Sequence, residues 1–147
     1  MFRGAIEGLR KNAAEQSLHD RVVERLAEQK RTRKVETYAN PGTEKNLDVD
    51  GLYPDVVVFD ELSAAPKLIL LELWEVETVE SVTDAEASQQ WRPYSEVAKK
   101  YGAGFCLLVP LESVADAVRL CALHDVDCNI WSFKESLTRL KLERHTE

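Results

Sequence analysis

The sequence predicts an α/β domain in which a mixed β-sheet is flanked by helices on both faces. Near the start of the chain, apolar runs separated by short turns predict consecutive antiparallel strands. Further along, apolar runs alternate with segments of helical periodicity, which is typical of parallel strands joined by helical crossovers. The predicted element order is helix, three strands, helix, strand, helix, strand (αβββαβαβ).

The first predicted helix begins at Ser17, a favourable N-cap, and residues 4–16 either extend it by a turn or two or fray. Its apolar face recurs at helical spacing at Leu18, Val22, Val23 and Leu26. Residues 35–39 alternate apolar and polar side chains, as a half-buried strand does. Residues 40–53 are polar and predict a loop. Within that loop, residues 48–51 match only part of a calcium-binding loop and are expected to form a turn.

Two further apolar runs predict the centre of the sheet. Pro54 opens the β-branched run 55–59, which is too short for a helix. A longer strand begins at Leu68 and continues toward Thr78. Because the early part of this run is apolar on both faces, we expect a central strand that is covered on both sides.

Ser81 or Thr83 is expected to cap the next helix, which contains Pro93 and ends before Gly102. The apolar face of this helix comprises Ala87, Trp91, Tyr94, Val97, Ala98 and Tyr101. Beyond it, the pattern predicts a buried strand, a helix and a last strand, at residues 105–109, 111–124 and 127–133. For residues 134–147 the sequence leaves open a short charged helix or a loose tail.

Length and composition limit the classes of protein. The 147 residues fit one domain, residues 1–147, and 19 basic against 26 acidic residues give a net charge of −7. This charge disfavours a protein that coats nucleic acid non-specifically. Three cysteines without a C-x-x-C pair indicate neither a disulfide framework nor a zinc knuckle, and favour the reducing cytoplasm. No membrane partner is expected, because no apolar run approaches the roughly 20 residues of a transmembrane helix and the N-terminus lacks a secretory signal.

Carboxylates at the ends of two neighbouring predicted strands are the main candidates for chemistry. Asp55 begins one strand, and Glu75 and Glu77 lie near the end of the next. Side chains alternate along a strand, so the two glutamates share a face, which Asp55 joins if the strands pair. Converging carboxylates repel unless a cation such as Mg²⁺ or Mn²⁺ neutralises them. The alternative is a solvated acidic strand end, since residues 72–86 hold six acidic residues and no basic one.

The element order, the pair Pro54-Asp55 and the strand ending Glu75-Val76-Glu77 together resemble the PD-(D/E)xK nuclease superfamily. Residues 90–94, Gln-Trp-Arg-Pro-Tyr, resemble the Q-x-x-x-Y motif of its RecB-like branch. The resemblance covers residues 17–109. It implies a restriction-endonuclease-like fold and a nuclease that hydrolyses phosphodiester bonds with Mg²⁺ or Mn²⁺ as its cofactor.

Matched position by position, Asp55 and Glu75 correspond to the family's acidic metal ligands. Glu77 stands where the family usually has a lysine, which orients the attacking water and offsets charge on the phosphate. A glutamate can instead accept a proton from the water or bind metal itself, and some restriction endonucleases of this superfamily carry Glu there. Gln90 and Tyr94 share a helix face and would orient the substrate or the site. Alternatively, Tyr94 belongs to the apolar face and Gln90 only flanks it.

Other residues could supply the positive charge or a further metal ligand. Arg92, Lys99 and Lys100 are candidates to replace the lysine, and Arg92 is favoured because it lies near Gln90. His19 lies on the apolar side of the first helix, where related nucleases often place a Glu or His that helps hold metal. The alternative for His19 is a hydrogen-bonded histidine in the core.

Residues 21–34 carry six basic and two acidic side chains, a local charge of 6 − 2 = +4. The candidate nucleic-acid contacts are Arg25, Lys30, Arg31, Arg33, Lys34 and Arg92. The alternative is a solvated helix face. Under the nuclease hypothesis, DNA is favoured over RNA, and a homodimer is expected by analogy with small nucleases that pair to cut both strands. The competing hypothesis is a catalytically silent nuclease-like scaffold that binds nucleic acid or protein, favoured by the missing lysine and the net charge.

Overall fold

A mixed β-sheet with helices on both faces forms the frame of the protein, as the sequence predicts. The computed structural model describes residues 13–31, 35–41, 45–60, 69–135 and 140–146. Within these residues the strands lie in chain order across one sheet: β1 (Val35–Ala39), β2 (Val56–Asp60), β3 (Ile69–Val76), β4 (Gly104–Pro110), β5 (Asn129–Glu135) and β6 (Leu140–Arg144). The helices are α1 (Ala13–Lys30), α2 (Val79–Val82), α3 (Ala85–Lys100) and α4 (Val114–Leu123), with a 3₁₀ turn at Leu111–Ser113.

The connections set the strand directions and the placement of the helices. β1, β2 and β3 are antiparallel, β3, β4 and β5 are parallel, and β6 returns antiparallel to β5. Both parallel crossovers step the same way across the sheet. Because such crossovers are right-handed, α3 and α4 lie on the same face. α1 covers the opposite face.

Each face of the sheet carries its own apolar core. The α3–α4 core includes Val57, Leu73, Trp91, Tyr94 and Leu107. The α1 core includes Val22, Leu26, Val56, Trp74 and Leu108. Successive residues of the central strands alternate between the two cores, as the pleat requires. The face of the sheet to which a site residue points therefore depends on its place in this alternation.

A β-bulge in β3 shifts this alternation by one residue. The β2–β3 register skips Leu71, so Leu70 and Leu73 both face the α3–α4 core. β3 is central, between β2 and β4, as predicted, but its first residues are not covered on both sides, because Ile69 and Leu71 are 55% and 38% exposed. Coverage on both sides begins after the bulge. The alternation from Leu73 onward turns Glu75 toward α3.

The two ends of the described chain settle points that the sequence left open. Within the described residues α1 runs from Ala13, so the helix does extend before Ser17, and Ser17 is not its N-cap. Over its described part, the segment 134–147 forms neither a charged helix nor a loose tail, because residues 140–144 pair with β5 as β6. Leu140 and Leu142 alternate with charged residues and contact the α1 core, which is the pattern of a half-buried strand.

The single helix expected after β3 is two helices with different caps. Thr78 caps α2, where its side chain and that of Ser81 form a reciprocal capping box. Asp84 caps α3 by accepting a hydrogen bond from the N–H of Glu86 at 2.9 Å. The prediction of Ser81 or Thr83 as the N-cap is therefore wrong. Hydroxyl and carboxyl side chains suitable for capping are dense in this segment, and only the backbone path distinguishes them.

The turn expected in the loop before β2 is present. Residues 49–52 are closed by two backbone hydrogen bonds of 2.8 and 3.0 Å. Within the turn, Asp50 accepts hydrogen bonds from Lys100 at 2.8 Å and from Tyr101 at 2.6 Å. The hydrogen bond from Lys100 is the main cause of a lowered pKa at Asp50. The turn thus ties the loop before β2 to the end of α3.

Helices α3 and α4 end in the same type of backbone turn. In both, the second residue beyond the C-cap donates its N–H to the carbonyl five positions back, at 2.8 Å. This turn requires one residue with positive φ. That residue is Gly102 (67°) after α3 and Asp125 (53°) after α4.

Substitutions at these two positions of positive φ are expected to change the free energy of unfolding in opposite directions. Gly102→Ala should lower the free energy of unfolding by about 1 kcal/mol, because an alanine Cβ disfavours positive φ. Asp125→Gly should raise it by roughly 0.5 kcal/mol, because glycine adopts this conformation without strain. Urea denaturation measures both changes. Gly104→Ala is the matched control, since its added Cβ would meet nothing closer than 3.5 Å; an equal loss in both alanine variants would contradict the explanation.

Candidate functional site

Asp55 lies at the end of the sheet, where β2 begins. The β2–β3 ladder ends at the pair Val56 and Trp74, directly after Asp55. Asp55 Oδ2 instead accepts a hydrogen bond from the N–H of Val76 at 2.8 Å. The same oxygen is 3.1 Å from His19 Nε2, and Asp55 is completely buried. The Asp55 carboxylate therefore connects the end of β3 with α1.

His19 lies between two carboxylates and is completely buried. Its Nε2 faces Asp55, and its Nδ1 is 2.9 Å from Asp20 Oδ1. An ionised carboxylate can only accept hydrogen bonds, so each ring nitrogen that carries a proton donates to the carboxylate beside it. His19 thereby contacts the first predicted metal ligand directly.

Glu75 occupies the position that faces Asp55, one residue beyond the last pair of the β2–β3 ladder. By alternation from Leu73, Glu75 and Glu77 point to the side of the sheet that α3 covers. Both glutamates are completely buried. Burying three carboxylates in one region costs free energy unless each is protonated, hydrogen-bonded or neutralised by a positive charge.

The motif residues of α3 lie on the same side of the sheet as the two glutamates. Tyr94 is completely buried and stacks on Phe105, with ring centroids 6.0 Å apart and an interplanar angle of 15°. Its ring is part of the α3–α4 core, as the structural alternative expects. Gln90, one turn earlier, is half-buried, and its Oε1 is shielded from solvent without a hydrogen-bond partner among the described residues. Gln90 thus keeps an acceptor for a ligand or a water.

Asn40 positions Asp55, although the sequence did not single it out. It is completely buried at the end of β1. Its N–H donates to the carbonyl of Asp55 at 3.0 Å, and its Nδ2 donates to the carbonyls of Pro54 at 2.7 Å and Leu47 at 2.8 Å. Its Oδ1 accepts from the N–H of Asn46 at 2.6 Å. An asparagine directly after a strand is the signal that could have indicated this loop-closing role.

The candidate nucleic-acid contacts lie in different environments. Lys30 forms an ion pair with Glu72 at 3.3 Å, and its Nζ lies 4.6 Å from the Trp74 ring centroid. Arg31 is exposed, and Arg25 is half-buried. The predicted contacts outside the described residues are Arg33 and Lys34. At the C-terminal end of α1, Arg31 is thus open to solvent, whereas Lys30 packs against the sheet.

The three candidates to replace the missing lysine lie on the solvent side of α3. Arg92, Lys99 and Lys100 are between 57% and 63% exposed. Each forms an ion pair with another acidic side chain, at N–O distances of 2.8 to 3.9 Å. The structure does not bring these three cations to the buried carboxylates.

A hard divalent cation needs oxygen ligands that converge on one point. Across the described ranges, no group of three or more His, Cys, Asp or Glu side chains is arranged to hold a metal ion. Mg²⁺, however, usually binds through only one or two carboxylates and keeps several waters. Asp55 and Glu75 are two buried carboxylates next to the last pair of the β2–β3 ladder, and His19 lies beside Asp55. The chemistry of these donors fits Mg²⁺ or Mn²⁺.

Comparisons with known proteins assign no family to this chain. No protein-family model matches it. Neither the curated proteins nor the solved structures contain a significant match. Among the helices that the structure describes, none is long and apolar enough to cross a membrane.

Proposed function

We propose that this protein is a divalent-metal-dependent nuclease of the PD-(D/E)xK type, which hydrolyses phosphodiester bonds of nucleic acid. The observation that carries the proposal is the buried carboxylate of Asp55 at the end of the sheet, 3.1 Å from His19, with the buried Glu75 just beyond the last β2–β3 pair. A restriction-endonuclease-like fold is part of the same proposal. The antiparallel strands β1–β3, followed by a helical crossover to the parallel strand β4, support it.

In this mechanism Asp55 and Glu75 would hold Mg²⁺ or Mn²⁺, and His19 and Asn40 would orient Asp55. The bound cation would supply Lewis-acid stabilisation of charge on the scissile phosphate. Glu77, at the position usually held by lysine, would accept a proton from the attacking water. The buried Oε1 of Gln90 would orient that water or the substrate.

The resemblance also sets the expected partner and assembly. DNA is the favoured substrate, with exposed Arg31 as a phosphate contact. A homodimer would allow two sites to cut both strands, and the three free thiols are in keeping with a location in the cytoplasm.

A catalytically silent scaffold that binds nucleic acid or protein is the second candidate, and burial favours it. Asp55, Glu75 and Glu77 are 0% exposed, so a phosphate reaches them only after the end of the sheet opens. The cationic side chains that could replace the lysine form ion pairs elsewhere. Such a scaffold would keep the buried carboxylates as part of its structure and bind no divalent cation.

Metal dependence distinguishes the two functions. Wild-type protein should cleave single- or double-stranded DNA in Mg²⁺ or Mn²⁺, stop in EDTA and recover when Mn²⁺ is returned. Calorimetric titration with Mn²⁺ should show binding in the absence of nucleic acid. No cleavage of any DNA or RNA substrate, together with no heat of Mn²⁺ binding, would reject the nuclease and leave the scaffold.

A further inference from the structure

Two cysteines that show no recognisable spacing in the sequence are in contact in the structure. Cys121 lies in the last turn of α4, and Cys128 lies immediately before β5. Their Sγ atoms are 3.2 Å apart, and both thiols are free. This distance exceeds the ~2.05 Å of a disulfide bond by about 1 Å. A small side-chain movement would therefore bring the two sulfurs to bonding distance.

The backbone between the two cysteines holds them in this arrangement. The N–H of Val126 donates to the carbonyl of Cys121 at 2.8 Å, and the positive φ of Asp125 reverses the chain. Val126 packs into the α3–α4 core and is only 8% exposed. The contact between the sulfurs therefore follows from a closed turn anchored in the core.

The two sulfurs differ in chemical character. The hydrogen bond between the two thiols lowers the pKa of Cys121, and the same contact, together with burial, raises the pKa of Cys128. The thiolate is the reactive form, so these directions favour Cys121 as the nucleophile of the pair and Cys128 as the resolving thiol. The third cysteine, Cys106, is buried in the α1 core, and its burial raises the pKa to about 12. Cys106 thus serves as an unreactive internal reference.

A small molecule can approach this pair. Cys128 is partly exposed and lines a cavity of about 190 Å³ together with Lys99 and Asn129. A cavity of this size holds several waters, and hydrogen peroxide is little larger than a water. The oxidant therefore reaches the Cys128 sulfur through this cavity, and the buried Cys121 sulfur lies 3.2 Å from it.

We propose that Cys121 and Cys128 are a redox modification site that forms a reversible intramolecular disulfide on exposure to hydrogen peroxide. The Cys121 thiolate attacks one peroxide oxygen, the O–O bond breaks, hydroxide leaves and Cys121 becomes a sulfenic acid. The Cys128 sulfur then attacks the Cys121 sulfur, and the S–O bond breaks. The hydroxyl group leaves with the Cys128 thiol proton as water. The two thiols lose two electrons in total, the peroxide is reduced to water, and a dithiol reductant reverses the reaction.

Mass spectrometry of the folded protein after stoichiometric hydrogen peroxide tests this proposal. We expect a loss of two hydrogen atoms per chain, a fall from three titratable thiols to 3 − 2 = 1, and full recovery with dithiothreitol. Cleavage after Leu123 should leave the fragments carrying Cys121 and Cys128 joined. The proposal would be overturned by any of three results in the folded protein: a disulfide that involves Cys106, covalent dimers, or three unchanged thiols.

Variants identify the roles within the pair. Cys106→Ala should form the disulfide as wild type does, whereas Cys128→Ser should stop at a sulfenic acid that dimedone traps. Cys121→Ser should form neither product. If Cys106→Ala fails to fold, fragment mapping of the wild-type protein decides the pairing. The same oxidation in denaturant is the control, because there the three possible pairings compete and a mixture is expected.

Discussion

Asp55→Asn is expected to lower the Mg²⁺-dependent cleavage rate by about 10³-fold or more while the protein stays folded. The neutral amide removes the charge that holds the cation, and the several kcal/mol that a metal contributes to catalysis correspond to a factor of this size. The amide oxygen can still accept a hydrogen bond from the N–H of Val76, as Asp55 Oδ2 does at 2.8 Å. The variant therefore separates the charge of Asp55 from its structural contact with β3.

Initial cleavage rates in Mg²⁺ and circular dichroism of the same samples measure this prediction. Asp127→Asn makes the same chemical change at a side chain that is 77% exposed, and it should keep the wild-type rate. If wild type cleaves and Asp55→Asn cleaves at the same rate, Asp55 is not a metal ligand. The proposed site would then be wrong, even though the protein would still be a nuclease.

Trp91→Ala is expected to lower the free energy of unfolding by about 3–5 kcal/mol, a large part of the total of about 5–15 kcal/mol that is typical of a domain. Trp91 is completely buried where α3 packs into the α3–α4 core. Trp91→Phe should cost much less, because it keeps a buried ring. It also removes an N–H that has no hydrogen-bond partner among the described residues.

Urea unfolding followed by far-UV circular dichroism measures this loss without relying on tryptophan fluorescence, which the substitution changes. Glu96→Ala lies on the same helix with a side chain that is 63% exposed, and it should change stability by less than about 0.5 kcal/mol. A loss below about 1 kcal/mol for Trp91→Ala would contradict the packing of α3 against the sheet.

Local sequence patterns were sufficient to predict most strands of the sheet. The alternation of residues 35–39, the β-branched run after Pro54 and the apolar run before Pro110 each predict a strand that the structure contains, as β1, β2 and β4. These segments carry their own periodicity, so no distant contact is needed to recognise them. β6 has only two apolar residues, Leu140 and Leu142, and its stability depends on pairing with β5. A pattern this short does not distinguish a strand from a tail.

The sequence indicates which residue types belong to the candidate site, but only part of how these residues are arranged. β2 and β3 pair as predicted, and Asp55 and Glu75 adjoin the last pair of their ladder, Val56 and Trp74. The contact between His19 and Asp55 joins residues 36 positions apart, and no local pattern specifies it. The same holds for Asn40, whose role depends on how the loop returns to Pro54. The solvent position of Arg92 follows from the way α3 rotates to bury Trp91 and Tyr94.

By itself, the sequence determined the α/β class, the mixed sheet and the shared face of Glu75 and Glu77, because hydrophobic periodicity and side-chain alternation are local properties of the chain. Only the tertiary structure decided which helix that face meets. The bulge at Leu71 reverses the alternation and turns both glutamates toward α3. The tertiary structure also decided the burial of three carboxylates and the contact of Cys121 with Cys128. Burial and contact arise from the packing of distant segments against each other, which one-dimensional patterns do not contain.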